Sequence, residues 1–183
     1  GRQGFALAQA TLDRGAQTTL IAGPSVLPKP IGCQRIDVTT AQQMHDAVVA
    51  AMAHADALLM AAAVADFRPR DVTSQKIKKG SGEEPALALT RTPDILAAVA
   101  KRRADVNSPR VVIGFAAESE NLLENARSKL EAKGLDLIVA NDITAADAGF
   151  AAKTNRVILL DRQGSVQHLP LMSKAAVAET IME

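Results

Sequence analysis

From Ala57 to Val64 the chain reads Ala-Leu-Leu-Met-Ala-Ala-Ala-Val, apolar at every position. A strand with one face in water alternates polar and apolar residues. An unbroken apolar run of this length therefore predicts a strand buried on both faces, the usual state of a strand in a parallel sheet. Such a sheet needs helices on both faces and long crossovers between its strands. The rest of the chain is expected to alternate helix and strand.

It opens on Gly1-Arg2-Gln3-Gly4 and runs into Phe5–Leu12, where Phe5, Ala8 and Leu12 fall on one helical face and Gly15 is placed as the C-cap. A helix that starts at a glycine-rich turn normally follows a strand, so a first strand and part of its loop are expected upstream of Gly1. Thr18–Ala22, closed by Gly23-Pro24, reads as a short strand and turn, after which Pro24, Pro28 and Pro30 make an irregular connection. Thr39 or Thr40 caps a helix bearing Met44, Val48 and Ala51 or Met52 on one face, with Gln42 or Gln43 at capping-box spacing. The charged, glycine-containing stretch 68–91 is an excursion, a β-ribbon or a flap. Thr92-Pro93-Asp94 joins a capping residue, a proline at the first helical position and a first-turn acid, and predicts a helix through Ala100. Arg110–Ala116 is a buried strand, Ser119 starts a helix that ends at Lys133-Gly134, and Leu135–Asn141 is the next strand. Val157–Asp161 and Val166–Leu169 flank Arg162-Gln163-Gly164 as a hairpin, and Ala175–Met182 is a terminal helix. The predicted class is α/β: a single domain over 1–183 with a Rossmann-like, doubly wound, mostly parallel sheet, a late antiparallel hairpin, and a lysine-bearing flap at about 68–91.

Composition removes several function classes. A formal net charge of +1 gives no footprint for nucleic acid or an anionic membrane surface. Four Phe with no Trp or Tyr leave few stacking platforms for single strands. No apolar run approaches the roughly 20 residues of a membrane-spanning helix, and no signal peptide is legible. One cysteine, Cys33, excludes an internal disulfide and fits a reducing, cytoplasmic setting. With no histidine near it in sequence, it reads as inert rather than nucleophilic. His45, His54 and His168 lack ligand spacing, which excludes a zinc-type cluster.

The motifs that carry chemistry gather at strand ends, where α/β proteins bind ligands. Met60 and the small residues Ala61, Ala62 and Ala63 lead to Asp66, and Lys76-Ile77-Lys78-Lys79 follows. Small side chains admit a flat ligand, a carboxylate can hold Mg²⁺ or a sugar hydroxyl, and mobile lysines can close over phosphates. Together these read as a site for a charged nucleotide; taken alone, the lysine run is an ordinary solvated cluster. Gly1-x-x-Gly4 at a helix start is either a phosphate cradle or a tight turn. Phe115 in Gly114-Phe115-Ala116-Ala117-Glu118 is core or a base-stacking ring, and Asn141-Asp142 are ligand contacts or caps. Lys129 and Lys133, four apart near a helix end, read as surface lysines favoured by the dipole. An NAD site would place an acid at the end of the second strand, and Ile21-Ala22-Gly23-Pro24 has none.

These segments, with Pro93-Asp94-Ile95 and Ala140-Asn141-Asp142, stand in an order and spacing that resembles the phosphopantothenoylcysteine synthetase family over essentially the whole chain. The resemblance implies a ligase that uses CTP and Mg²⁺. The carboxylate of 4′-phosphopantothenate is activated as an acyl-cytidylate with release of pyrophosphate, and the amine of L-cysteine displaces CMP. It implies nucleotide contacts at Met60, Ala61, Ala62, Asp66, Lys76, Pro93, Asp94, Ile95, Leu96, Phe115, Lys129 and Lys133, with Asp66 on the metal side and Lys76 as the catalytic flap lysine. Under this reading the two helix lysines become pocket residues. It also implies a homodimer with sites near the interface and a linked FMN-binding decarboxylase domain; that domain is outside this sequence, so no flavin is expected here. The family has an Asn-x-Ser-Ser-Gly loop whose asparagine acts on the acyl-cytidylate, and this sequence starts at that glycine. The expectation is impaired catalysis by the chain as it stands. Two rival readings are a nicotinamide-dependent oxidoreductase on the same fold and a non-catalytic nucleotide-binding module.

Overall fold

The computed structural model describes residues 1–72, 75, 86–118, 121–142 and 152–183, with the side chains of Glu118 and Asp142 left out of the description. Helix α1 (Arg2–Asp13) ends at Arg14, where Gly15, at φ 76°, and Ala16 turn their N–H groups back onto Leu12 and Thr11. Strands β1 (Thr19–Ala22) and β2 (Gln34–Asp37) pair in parallel. The second of these lies in the stretch predicted to be an irregular connection, because Pro24, Pro28 and Pro30 hid a short strand behind them. Helix α2 (Ala41–Met52) resolves the capping alternatives: Thr40 Oγ1 accepts from Gln43 N–H at 3.1 Å, and the Gln43 side chain accepts from Thr40 N–H at 3.2 Å.

Strand β3 (Ala57–Met60) stops four residues short of the predicted Val64. It is an edge strand, bonded in parallel to β6 (Val111–Glu118), and its residues are partly exposed. The apolar run was long enough for a central strand, but only its first half is paired. β4 (Phe67–Pro69) and β5 (Leu89–Arg91) form an antiparallel ribbon at the base of the predicted flap. Helix α3 (Ile95–Val106) runs past the predicted end at Ala100 and closes at Asn107, which adopts φ 51°. Helix α4 (Leu122–Ala132) leads to β7 (Leu137–Asp142); the predicted start at Ser119 lies outside the described residues. β8 (Thr154–Asn155) pairs with β11 (Met172–Ser173), and β9 (Val157–Asp161) with β10 (Val166–His168), before α5 (Lys174–Ile181).

The central sheet has the order β10-β9-β7-β6-β3, with β3, β6 and β7 parallel and the late hairpin antiparallel at the other edge. Strand alternation divides the core into two layers. Val112, Ala116, Ile138 and Ala140 pack with Met44, Val48, Met52, Ile95, Val99, Ala126 and Leu130, from α2, α3 and α4. Ile113, Val139, Val157 and Leu159 pack with Leu7, Ala10, Val177, Ala178 and Ile181, from α1 and α5. Leu7, Ala8 and Ala10 are therefore the buried side of α1, while Phe5 is only half-buried. Cys33 is buried with its Sγ toward the Thr18 carbonyl at 3.4 Å, as an inert packed thiol would be.

Candidate functional site

The carboxyl ends of β3, β6 and β7 share one rim, and the connections after them carry most of the predicted site residues. After Met60 the chain leaves the sheet, so Asp66 is not delivered by the strand itself. It is delivered by a coil anchored from the far side of the flap: Thr92 Oγ1 donates to the Ala65 carbonyl at 2.6 Å, and Thr92 N–H donates to the Asp66 carbonyl at 2.9 Å. Thr92 was read as the helix cap; its hydroxyl is used on Ala65, and Asp94 takes the cap, accepting from Ala97 N–H at 3.0 Å. The Asp66 side chain is exposed at the root of the β4–β5 ribbon.

Asp94 also pairs with Lys133, the C-cap of α4, so two of the predicted contacts meet each other. Burial is the largest single influence on the Asp94 carboxyl and raises it. The Lys133 hydrogen bond, the Ala97 amide and the Lys133 charge together outweigh it, leaving the group below its ordinary value. Ile95 is 4% exposed and belongs to the core beneath α3, and Leu96 and Met60 pack at the edge of the same layer. Pro93 is half-buried at the helix start, and Lys129 is exposed in the last turn of α4.

Phe115 and Ala61 lie against the other layer, beside α1 and α5. The pleat of β6 sends Phe115 away from Ala116, so Phe115 does not face Asp94 and Lys133 across one pocket. The predicted residues are joined along a rim that spans both faces of the sheet. Ala62 is exposed on that rim, and Lys76 lies outside the described residues. Among the described residues no group of three or more His, Cys, Asp or Glu could hold a metal ion. Asp66 alone fits the lesser demand of Mg²⁺ arriving on phosphates, which uses one or two carboxylates and keeps its waters. No helix among the described residues is long and apolar enough to cross a membrane.

Sequence reasoning missed two features near α1. A groove of about 500 Å³ separates Arg2, Phe5 and Gln9 from Leu27, Pro28 and Ile31. Its signal was the stretch Val26–Ile31, where apolar side chains sit among prolines and both end residues are fully exposed. The second is a cluster of Arg2, Gln3 and Lys174. Gln3 Nε2 donates to the Lys174 carbonyl at 3.1 Å, and Gln3 Oε1 is buried without a hydrogen-bond partner among the described residues. Lys174 is 7% exposed. Its signal was a lysine at the first position of a helix that continues Ala-Ala-Val-Ala.

The family model for the DNA/pantothenate metabolism flavoprotein C-terminal domain matches residues 1–183. The coenzyme A biosynthesis bifunctional protein CoaBC of Vibrio vulnificus is 41% identical over the whole chain, which covers 45% of that protein. The Bacillus subtilis protein of the same description is also 41% identical, with 44% of its length covered. The chain thus spans less than half the length of these curated relatives. Among solved structures, the C-terminal domain of a coenzyme A biosynthesis bifunctional protein CoaBC superposes with a TM-score of 0.80 at 33% identity, covering all of this chain and 79% of that one.

Proposed function

The chain belongs to the DNA/pantothenate metabolism flavoprotein C-terminal domain family, and from that membership we propose that it is the synthetase part of a coenzyme A biosynthesis enzyme. The proposed reaction joins 4′-phosphopantothenate to L-cysteine at the expense of CTP, with Mg²⁺, through an acyl-cytidylate. The observation that carries this reading is the rim itself. Met60–Ala62, the tethered Asp66 coil and the capped start of α3 stand together at the carboxyl ends of parallel strands, where such sheets take nucleotides.

In this reading the small residues Ala61 and Ala62 admit the nucleotide against the backbone. Asp66 meets the nucleotide and the metal it carries, which neutralises phosphate charge. Asp94 and Lys133 hold the α3 start against the ligand, Phe115 flanks the base from the α1 side, and Lys129 extends the cationic edge. Lys76 closes over the phosphates. Positive charge placed where the pentavalent phosphorus gathers negative charge lowers the barrier, and a closed flap keeps water from the mixed anhydride.

Pyrophosphate release should require CTP, Mg²⁺ and 4′-phosphopantothenate together, and CMP formation should require L-cysteine in addition. Lys76→Ala should lower turnover roughly a hundredfold or more with the fold unchanged, and Asp66→Asn should weaken CTP binding chiefly when Mg²⁺ is present. Equal or tighter binding of ATP or NAD(P)H in calorimetry would overturn the assignment.

A further inference from the structure

Thr92 makes one hydrogen bond more than its place in the β4–β5 ribbon requires. The ribbon pairs Phe67 with Arg91, Arg68 with Thr90 and Pro69 with Leu89. Continuing that register by one pair sets Asp66 opposite Thr92, and the Thr92 N–H forms the next rung, to the Asp66 carbonyl at 2.9 Å. Any residue but proline would form that rung. The Thr92 hydroxyl adds a bond to the Ala65 carbonyl at 2.6 Å, which lies outside the ladder and needs a side-chain donor at this position. Among the described residues, both hydrogen bonds that hold residues 62–66 to another segment come from Thr92. Local chemistry prepares them. Pro93 confines the residue before it to extended backbone, so Thr92 prolongs β5 rather than starting α3. The branched Cβ restricts the hydroxyl to few rotamers. Asp94 takes the cap of α3, which frees the Thr92 hydroxyl for Ala65.

We propose that Thr92 is a positioning residue for the Asp66 carboxylate, which it holds at the rim through the Ala65 and Asp66 carbonyls. Asp66 is exposed, and among the described residues no hydrogen bond or ion pair holds its side chain, so its backbone decides where the carboxylate stands. The two bonds from Thr92 reach successive carbonyls and so fix the peptide that joins Ala65 to Asp66. The frame from which they hang is itself anchored. Two residues beyond Thr92, Asp94 accepts from Ala97 N–H and pairs with Lys133, and the next residue, Ile95, is packed in the core. The carboxylate is thereby placed relative to the start of α3 and the end of α4, which border the same proposed nucleotide position. A group already in place loses less freedom when its ligand arrives, so more of its interaction appears as affinity. What Asp66 receives, CTP with its Mg²⁺, rests on the ligase reading; the tether does not.

Thr92→Val keeps the branched Cβ and removes the hydroxyl, and Thr92→Ser keeps the hydroxyl. Calorimetric titrations with CTP, with and without Mg²⁺, compare both with the parent and with Asp66→Asn. Thr92→Val should bind CTP about fivefold more weakly when Mg²⁺ is present, the worth of roughly one hydrogen bond, and as the parent does when it is absent. Thr92→Ser should match the parent in both conditions. In an Asp66→Asn background Thr92→Val should add nothing, because the group it positions is gone. Hydrogen exchange at the residue 92 amide gives a readout that needs no ligand: its protection should fall in Thr92→Val and stay parental in Thr92→Ser. If Thr92→Val binds CTP with Mg²⁺ as tightly as the parent, the proposal is refuted. A loss of affinity that is the same with and without Mg²⁺ and additive with Asp66→Asn refutes it too, and makes Thr92 a structural residue of the ribbon. If the amide loosens as expected but the parent itself does not bind CTP, the ligase reading falls and the role given to Thr92 falls with it.

Discussion

Asp94 caps α3 through one carboxylate oxygen and pairs with Lys133 through the other. Asp94→Ala loses both and should cost about 1 kcal/mol, the usual worth of an N-cap. Asp94→Asn keeps an oxygen for Ala97 and loses only an exposed ion pair, worth about 0.5 kcal/mol after screening. The sign with pH follows from the lowered carboxyl. A group held below its ordinary value of 3.8 stabilises the fold above that value and loses its contribution as pH falls through the folded value. In urea titrations from pH 7 to pH 2, parent and Asp94→Asn should differ at the high end and converge at the low end; a constant gap would mean that the charge is irrelevant. Gly114 is required for a different reason. A Cβ there would stand 2.5 Å from Leu135 Cδ1, and Leu135, itself 2% exposed, would have to shift within the packed core. Gly114→Ala should therefore cost about 1–3 kcal/mol by overpacking. In a Leu135→Ala background the same change should cost much less, and an additive double mutant would show that the clash relaxes elsewhere.

Elements whose ends are marked by local chemistry were legible in the sequence. Thr40 with Gln43 announced α2, and the Gly164 turn announced the β9–β10 hairpin, where Asp161 Oδ1 also accepts from the N–H groups of Gln163 and Ser165. Elements whose ends depend on partners were not. Ala61–Val64 is as apolar as Ala57–Met60, yet nothing pairs with it among the described residues, so the strand ends where its ladder ends. α3 outruns its apolar stripe because Lys101–Ala104 are good helix formers, and it stops only at left-handed Asn107 ahead of Pro109. For the site, the residue types and their rim were readable, but the pleat that puts Phe115 on the α1 side of the sheet needed the register of β6. A helix–strand joint that no motif announced is the one at Asp136. Its carboxylate accepts from Val112 N–H at 2.7 Å and pairs with Arg103 at 2.8 Å and Arg162 at 3.0 Å, tying α3, β6 and the hairpin turn to the start of β7. Asp136→Ala strands a strand amide and a half-buried guanidinium and should cost roughly 2–4 kcal/mol in urea denaturation. A loss below about 0.5 kcal/mol would place it with ordinary surface ion pairs.

At the scale of the whole molecule, the parallel strands fall into two groups of unequal security. β6 and β7 each have a strand on both sides and a helical layer on both faces, with Ile138, Val139 and Ala140 at 1% exposure or less. β1 and β2 bond only each other among the described residues, and of their side chains only Ala22 is fully buried. A two-stranded unit is marginal by itself in water, so this pair depends on α1 and α2, which pack against β1. Its hydrogen bonds should therefore break in local openings that leave the five-stranded sheet intact. In native-state hydrogen exchange, the amides of Ile138–Ala140 should exchange only on global unfolding, and their free energy should fall with added denaturant. The amides of Leu20 and Ile36 should exchange about a hundredfold faster or more, a gap of roughly 2.7 kcal/mol, with little dependence on denaturant because little surface is exposed in the opening. If both groups showed the same protection and the same denaturant slope, the two sheets would open as one unit, and the helices α1 and α2 would have to be credited with a coupling as strong as a shared ladder.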